Sequence, residues 1–301
     1  MDAKNELREF LTSRRARITP DEAGIRTYGG PRRVPGLRRE EVALLAGVSA
    51  DYYTRLERGN AGGASENVLD ALARALQLDE VERTHLFHLA RATQPGTRAP
   101  RRATARLRPT VLRLLDAIDG APAFVRNGRL DILGANALGR ALYAPHFSSP
   151  RQPPNTARFV FLDPRAPEFY PDWEKVAHDS VAILHAEAGK NPHDKDLSDL
   201  VGELSTQSEL FRTRWAAHNV RRHDTGTKRI HHPVVGDLEL TYENMTLVAD
   251  TDLIMFVYTA EAGTRSEEAL RLLASWAATL EQEEAESGDH EQQPGHVARP
   301  E

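Results

Sequence analysis

The segment that decides the fold spans residues 38–59 and reads RREEVALLAGVSADYYTRLERG. Val42, Leu45 and Ala46 have the i, i+3, i+4 spacing of one apolar helix face. Gly47 follows them at the place where a left-handed residue commonly ends a helix. The segment therefore predicts a helix that ends at a tight turn.

A second helix is predicted directly after this turn. Ser49 can cap it with the side-chain hydroxyl, and Val48 and Tyr53 are placed for a hydrophobic staple across the cap. Tyr53 and Leu56 would point back at the first helix, where the small Ala43 allows close approach. The pattern predicts a helix-turn-helix.

In a helix-turn-helix, the outer face of the second helix enters the major groove of DNA. Arginines there can pair with guanine or phosphate, and hydroxyls suit phosphates or base edges. The predicted DNA-binding residues are Arg39, Ser49, Asp51, Tyr52, Thr54, Arg55 and Arg58. The alternative is a plain helical core, since hairpins with a glycine turn also occur in proteins that do not bind DNA.

Composition supports two domains of different character. The 301 residues are 40% hydrophobic, which is enough for two globular cores. Residues 1–106 carry a formal charge of +5, and the remainder carries −10. This asymmetry favours nucleic acid as a partner of the first part, although arginines can also cluster by chance.

Other sequence features bear on the compartment. The chain has no cysteine, which excludes disulfides and thiolate metal sites. The first ten residues lack the apolar core of a signal peptide, and no apolar run approaches the ~18–20 residues that span a bilayer. We expect a cytoplasmic protein with no membrane partner.

The chain divides into four predicted regions. Residues 1–95 form an all-α helix-turn-helix domain, residues 96–106 a linker rich in Pro, Gly and Arg, residues 107–280 an α+β domain, and residues 281–301 a disordered tail. Helices are predicted at 109–119, 136–143, 172–190, 194–206, 208–218 and 266–280, and strands at 123–126, 130–135, 220–223, 227–232, 238–247 and 253–259. Residues 145–171 hold seven prolines and are expected to be largely irregular.

Residues 36–59 (GLRREEVALLAGVSADYYTRLERG) and 66–90 (ENVLDALARALQLDEVERTHLFHLA) resemble Xre/Cro-type regulators, and most closely their MmyB-like branch. The resemblance implies five helices at about 4–13, 38–46, 50–58, 65–76 and 79–91. The loop at 60–65 reads NAGGAS, where family members usually carry an Arg and a Pro, so backbone contacts to DNA from this loop do not carry over.

The second domain also resembles the MmyB-like family, through FYPDWEKVA (169–177), FRTRWAAHNVR (211–221) and GTKRIHHPVVGDLELTYE (226–243). The resemblance implies a PAS-like domain, in which helices and a curved antiparallel sheet enclose an apolar pocket, and a small, fatty-acid-like effector. Asn219 stands where the family motif has an acidic residue, so a role for that charge does not carry over.

A half-buried sheet that is covered by helices can leave a cavity of ligand size. The candidate lining residues are Phe124, Trp173, Phe211, Trp215, Met245 and Phe256, and the alternative for each is ordinary core packing. Candidate partners for a polar head group are His218, Arg221, His232 and Tyr242, with surface or sheet-edge packing as the alternative.

Neither a metal centre nor a catalytic site is predicted. His218, His223, His231 and His232 do not have the spacing of a metal site. The sequence has no P-loop and no GxSxG motif, and we expect no catalytic residue and no cofactor except a bound fatty acid or similar molecule. The sequence thus predicts a homodimeric regulator of operator DNA that senses a small effector. The alternative for the second domain is a dimerisation or protein-interaction module without a ligand.

Overall fold

The computed structural model describes residues 3–25, 34–93, 106–217 and 225–291. Contacts divide these residues into two compact units, which are described separately. Unit 1 contains residues 3–93, 160–163 and 174–217, and unit 2 contains residues 106–159, 164–173 and 225–291.

Unit 1 contains the N-terminal helices around one apolar core. They are α1 (Ala3–Arg17), α2 (Arg39–Ala46), α3 (Ala50–Glu57), α4 (Glu66–Ala75) and α5 (Glu80–Ala92). Their bounds agree with the five helices that the family resemblance implied. Phe10, Val42, Tyr53, Leu72 and Leu86 are fully buried where these helices meet.

The turn between α2 and α3 has the predicted chemistry. Gly47 adopts a left-handed φ of 66° at the end of α2, and the Ser49 hydroxyl accepts a hydrogen bond from the Tyr52 N–H at 3.1 Å. The prediction that Leu45 points inward is wrong. Leu45 is 39% exposed, whereas Ala43 is 2% exposed. Helix residues advance by about 100°, so a buried face that includes Val42 and Ala43 leaves Leu45 at its edge.

Three later helices belong largely to the same unit: α11 (Trp173–Lys190), α12 (Lys195–Gln207) and α13 (Glu209–Ala216). Ala186 of α11 packs against the core of the N-terminal helices, and Gly189 lies directly against the His85 ring. This grouping differs from the predicted domain of residues 107–280. An amphipathic pattern reveals which face of a helix is apolar but does not identify the element that covers it.

Unit 2 is built on one antiparallel sheet. Its strands are β1 (Ala123–Asn127), β2 (Ile132–Ala135), β3 (Thr225–His232), β4 (Gly236–Leu247) and β5 (Asp250–Thr259). The strand order is β2-β1-β5-β4-β3, with every neighbouring pair antiparallel. The fold is therefore the predicted one: a helical domain followed by a PAS-like α+β domain.

Different elements pack on the two faces of this sheet. Ala123, Val125 and Met255 share one face and form a core with α6 (Pro109–Asp116). The other face carries Phe124 and Phe256, and it meets rings from the segment that contains α7 (Ala137–Leu142), α8 (Ala144–Phe147), α9 (Thr156–Leu162) and α10 (Ala166–Phe169). Because neighbouring residues alternate between the faces, each strand contributes to both layers.

Three sequence predictions need correction. Residues 145–171 are not largely irregular, because α8, α9 and α10 lie there; the prolines of α8 and α10 occupy the first helical positions, where no N–H partner is lost. Helix α14 (Arg265–Glu291) continues past the predicted end at 280 and through part of the predicted tail. The strand predicted at 130–135 begins at Ile132, because the turn after Asn127 extends to Asp131 and Leu130 adopts a left-handed φ of 68°.

Some predictions fall outside the described residues. These are the strand at 220–223, residues 96–105 of the linker and residues 292–301 of the tail.

Candidate DNA-binding surface and effector site

Helix α3 turns its polar side away from the core. Ser49, Asp51, Arg55 and Arg58 are exposed, while Tyr52 and Thr54 are partly buried. The opposite side of the helix buries Tyr53 and Leu56, at 0% and 2% exposure. The Arg55 guanidinium lies 5.2 Å from the centre of the Tyr52 ring. The structure thus places six of the seven predicted DNA-binding residues on one accessible surface of the second helix and its cap.

Arg39, the seventh residue, has an additional structural role. Its side chain is half-exposed and forms an ion pair with the buried Glu57. Glu57 also pairs with Arg15 of α1 at 2.6 Å, and Arg15 donates a hydrogen bond to the Leu37 carbonyl at 2.9 Å. One buried carboxylate therefore connects α1, α2 and α3, which fixes the orientation of the DNA-facing helix.

A cleft of about 430 Å³ lies beside this network. Its walls include Arg8 from α1, Arg39 from α2 and Arg58 at the end of α3, together with Glu9 and Glu57. Arg8 was not predicted as part of the surface, because the sequence shows no sign that α1 borders α3. The three arginines that line this cleft can bind phosphate oxygens next to the groove that α3 would read.

The candidate effector residues separate into two sets. Phe124 and Phe256 stack on the sheet of unit 2, with ring centres 5.2 Å apart and an angle of 16° between the planes. Tyr242 tilts against Phe256 at 6.1 Å. Phe211 and Trp215 lie instead on α13 in unit 1, where Trp215 stacks on His185 with ring centres 3.7 Å apart. The partly buried Trp173 begins α11.

The structure places Met245 apart from the ring-lined face and His232 in other hydrogen bonds. Met245 is 46% exposed and pairs with Met255, which faces the α6 side of the sheet; it therefore lies on the face opposite Phe256. Both ring nitrogens of His232 are occupied, since Nε2 bonds the Ala141 carbonyl at 3.0 Å and Nδ1 accepts from the Val234 N–H at 3.2 Å. His218 and Arg221 lie outside the described residues.

The structure also shows polar groups beside Phe124 and Phe256 that sequence reasoning missed. We call Tyr143, Tyr170 and Tyr258 the tyrosine cluster. The hydroxyls of Tyr143 and Tyr258 are 2.7 Å apart, and the Tyr170 hydroxyl lies 3.0 Å from His146 Nε2. Burial raises the pKa of Tyr143 and Tyr170 well above the usual range and that of Tyr258 to about 12. The cluster is therefore neutral at physiological pH.

Arg126 of β1 reaches the same cluster. Its guanidinium carbon lies 4.4 Å from the centre of the Phe256 ring, and burial lowers its pKa. A sequence signal existed, because this arginine alternates with apolar residues in the segment AFVRN and shares a face with Phe124. A cation on the ring-lined side of a sheet is unusual unless it is paired.

Within the described ranges, no group of three or more His, Asp or Glu side chains is arranged to hold a metal ion. None of the helices described has both the length and the apolar composition to cross a bilayer.

Comparison with known proteins assigns both parts of the chain. Residues 6–86 match the family model of a helix-turn-helix domain. Residues 107–273, more than half of the chain, match the model of the MmyB-like transcription regulator ligand binding domain. No curated protein matches the chain. With its capped DNA-facing helix and its antiparallel sheet domain, the chain belongs to the MmyB-like transcription regulators.

Proposed function

We propose that this regulator senses a small, apolar, fatty-acid-like molecule through its ligand-binding domain. The observation that carries the proposal is the ring-lined sheet face, where Phe124 stacks on Phe256 and contacts the Tyr143 ring at 5.1 Å. Apolar walls with a few placed polar groups are typical of small-molecule sites. Each buried methylene contributes roughly 0.8 kcal/mol, so a chain of about twelve can reach micromolar affinity after ordering costs.

Regulation then follows from differential affinity. An effector that binds one conformation of the protein more tightly than another shifts the population toward the first, and DNA affinity changes with it. We further propose that the chain acts as a homodimer, since two half-sites double the contacts that one short helix makes. In this proposal the protein works by binding alone, as a regulator and not as an enzyme, and requires no cofactor.

The test uses the purified full-length protein. Native mass spectrometry measures whether an aliphatic molecule co-purifies, and titration with sodium dodecanoate follows tryptophan emission and the melting temperature. Fluorescence anisotropy of labelled genomic operator fragments then measures DNA affinity with and without dodecanoate. We expect a raised melting temperature and a changed DNA affinity. If C8 to C16 fatty acids change none of these quantities, the domain is a dimerisation or protein-interaction module instead.

A further inference from the structure

Helix α6 covers only part of the sheet face on which it packs. Val111 and Leu115 are buried in one core with residues of β1 and β5. A Cβ at Gly134 of β2 would lie 3.4 Å from the side chain of Leu112, so α6 extends over β2 as well. The far side of the same face, over β3 and β4, carries exposed side chains: Thr227, Thr241, Glu243 and Met245. Among the described residues, this part of the face is therefore open to solvent.

The strand register assigns these exposed side chains to the α6 side of the sheet. Met245 pairs with Met255, and Glu243 pairs with Val257. Met255 belongs to the core beneath α6, and Val257 packs against that core. Because residues directly opposite each other on neighbouring strands share a face, Glu243 and Met245 continue the face that α6 begins.

Helix α6 also has an apolar surface that its own sheet does not bury. Leu112 and Leu114 are 43% and 50% exposed, and they flank Arg113, which is exposed. Arg113 lies about 200° around the helix from Val111, so its side of α6 is turned away from the sheet. Met and Arg are enriched where protein surfaces meet, and these two residue types lie on α6 and on the open part of the sheet.

The outward side of α6 and the open part of the sheet have complementary charges. Arg113 and Glu243 are both exposed, and neither forms an ion pair with any residue that the structure describes. Arg108 and Arg229, on the same side of the sheet, are each paired with an aspartate of the same chain. Since Arg113 is turned away from its own sheet, it can meet Glu243 only in a second copy of the chain.

We propose that this face is the interface of the homodimer, with α6 of each copy lying on β3 and β4 of the other. This inference rests on the homodimer of the proposed function and deepens it, because it specifies the surface. A two-fold axis makes the interface isologous, so the pair between Arg113 and Glu243 of the second copy occurs twice. Leu112 and Leu114 then pack against the part of the sheet that contains Met245.

The experiment measures the dimer dissociation constant of the full-length protein by sedimentation equilibrium, for the wild type, Arg113→Glu and Glu243→Arg. Each substitution places like charges opposite each other at two symmetry-related positions, so we expect the constant to rise about tenfold or more. An equimolar mixture of the two variants should associate like the wild type, because the mixed dimer restores both pairs of opposite charge. Arg212→Glu on α13 and Glu268→Arg on α14 are controls at exposed positions of other elements, and both should behave like the wild type.

A second test uses the fact that the chain has no cysteine. Arg113→Cys and Glu243→Cys are mixed and treated with a bifunctional maleimide that has a short spacer. Covalent dimers should form in higher yield in the mixture than in either variant alone, because each position 113 faces a position 243. This test decides the matter if the charge-reversal variants do not fold, and equal yields in all three samples would contradict the pairing.

The outcomes separate the interface from the homodimer itself. If the wild type remains a monomer at every concentration, the proposed homodimer fails, the present inference fails with it, and the open face belongs to a different protein partner. If the wild type dimerises but charge reversal leaves the dissociation constant unchanged, or the mixture of variants does not associate, the homodimer stands and uses another surface.

Discussion

Arg55 and Arg58 lie on the exposed side of α3, while Leu56 between them is buried. This alternation separates two functions within one helical turn. The exposed arginines are available to DNA, and the leucine holds the helix against its neighbours. At the scale of single residues, binding and stability can therefore be changed independently.

We predict that Arg55→Ala and Arg58→Ala weaken DNA binding without unfolding the protein. A lost bidentate base contact costs roughly 1–3 kcal/mol, while a lost phosphate contact weakens all sequences about equally and reduces the salt slope by about 1. Anisotropy titrations on operator fragments and random duplexes over a series of salt concentrations distinguish the two cases.

Leu56→Ala is the matched control and should lower the free energy of unfolding by roughly 2–5 kcal/mol as a core truncation. If thermal melts show that Arg55→Ala and Arg58→Ala are unfolded while Leu56→Ala is unaffected, the buried and exposed sides of α3 are the reverse of those described.

A second prediction for a single residue concerns Glu6 and the dependence of folding stability on pH. Burial in α1, reinforced by the negative charge of Glu9, raises the pKa of Glu6 to about 7. The folded protein therefore keeps a proton that the unfolded chain releases near pH 4.5. This contribution to stability is complete below pH 4.5 and is lost as the pH rises through 7. At 1.36 kcal/mol per pKa unit, the loss amounts to about 3 kcal/mol.

The measurement is denaturant unfolding of the wild type and Glu6→Gln at several values between pH 5 and 8. The glutamine variant should be more stable relative to the wild type at pH 8 than at pH 5. Glu66→Gln is the control, because Glu66 belongs to an exposed ion pair with Arg91, which contributes about 0–1 kcal/mol. Parallel pH profiles for the wild type and Glu6→Gln would contradict the raised pKa.

At the scale of elements, the close approach of α1 and the end of α3 depends on one glycine. Gly59 has a left-handed φ of 85°, and a Cβ there would overlap the backbone of Lys4. Backbone cannot move aside as a flexible side chain does, so no larger residue fits without separating the two helices. The DNA-facing helix is thus held at both ends, by the Ser49 cap and by this contact.

We predict that Gly59→Ala destabilises unit 1 and weakens DNA binding through the displaced helix. A positive φ alone costs a non-glycine residue of order 1–3 kcal/mol, and the overlap adds to that cost. Gly62→Ala is the control, since nothing lies within 4 Å of its Cβ position, and its effect should be neutral or slightly stabilising. Equal melting temperatures for the two variants would contradict the close packing of α1 on α3.

The cap and turn of the helix-turn-helix could be predicted from the sequence, whereas contacts between distant segments could not. The cap at Ser49 and the turn at Gly47 could be predicted because their chemistry involves residues only a few positions apart. The tyrosine cluster could not be predicted, because the fold brings Tyr143, Tyr170 and Tyr258 together from distant segments. For the same reason, the sequence did not show that the Ala141 carbonyl occupies His232.

For the molecule as a whole, the most informative feature is the composition of unit 1. Its apolar core is completed from a distant part of the sequence, since Ala186 packs on the N-terminal helices and Gly189 lies against the buried His85 ring. That ring packs edge-on against Phe10 at 5.0 Å. A structural contact thus connects α11, which lies within the matched ligand-binding segment, to the DNA-binding helices.

We predict that Gly189→Ala weakens this contact. The added methyl group would overlap the His85 ring, which Phe10 holds in place, and overpacking of this kind costs roughly 1–3 kcal/mol. Gly202→Ala in α12 is the control, because its Cβ position is open and alanine improves helix propensity by up to about 1 kcal/mol. In Gly189→Ala, the melting temperature should change, and so should the effect of dodecanoate on DNA affinity. If Gly189→Ala behaves like Gly202→Ala, α11 does not pack closely on α5.

The interleaved course of the chain through unit 1 also limits how this regulator can be recombined. A chimera that exchanges only residues 1–106 would place a foreign helix opposite Gly189 and Ala186 and would lose the shape match with His85. Grafted DNA-binding modules should therefore carry residues 174–217 with them, or retain the positions on α5 that contact α11. Synthetic regulators built from this scaffold, and natural exchange of the two segments, face the same constraint on where the gene can be cut.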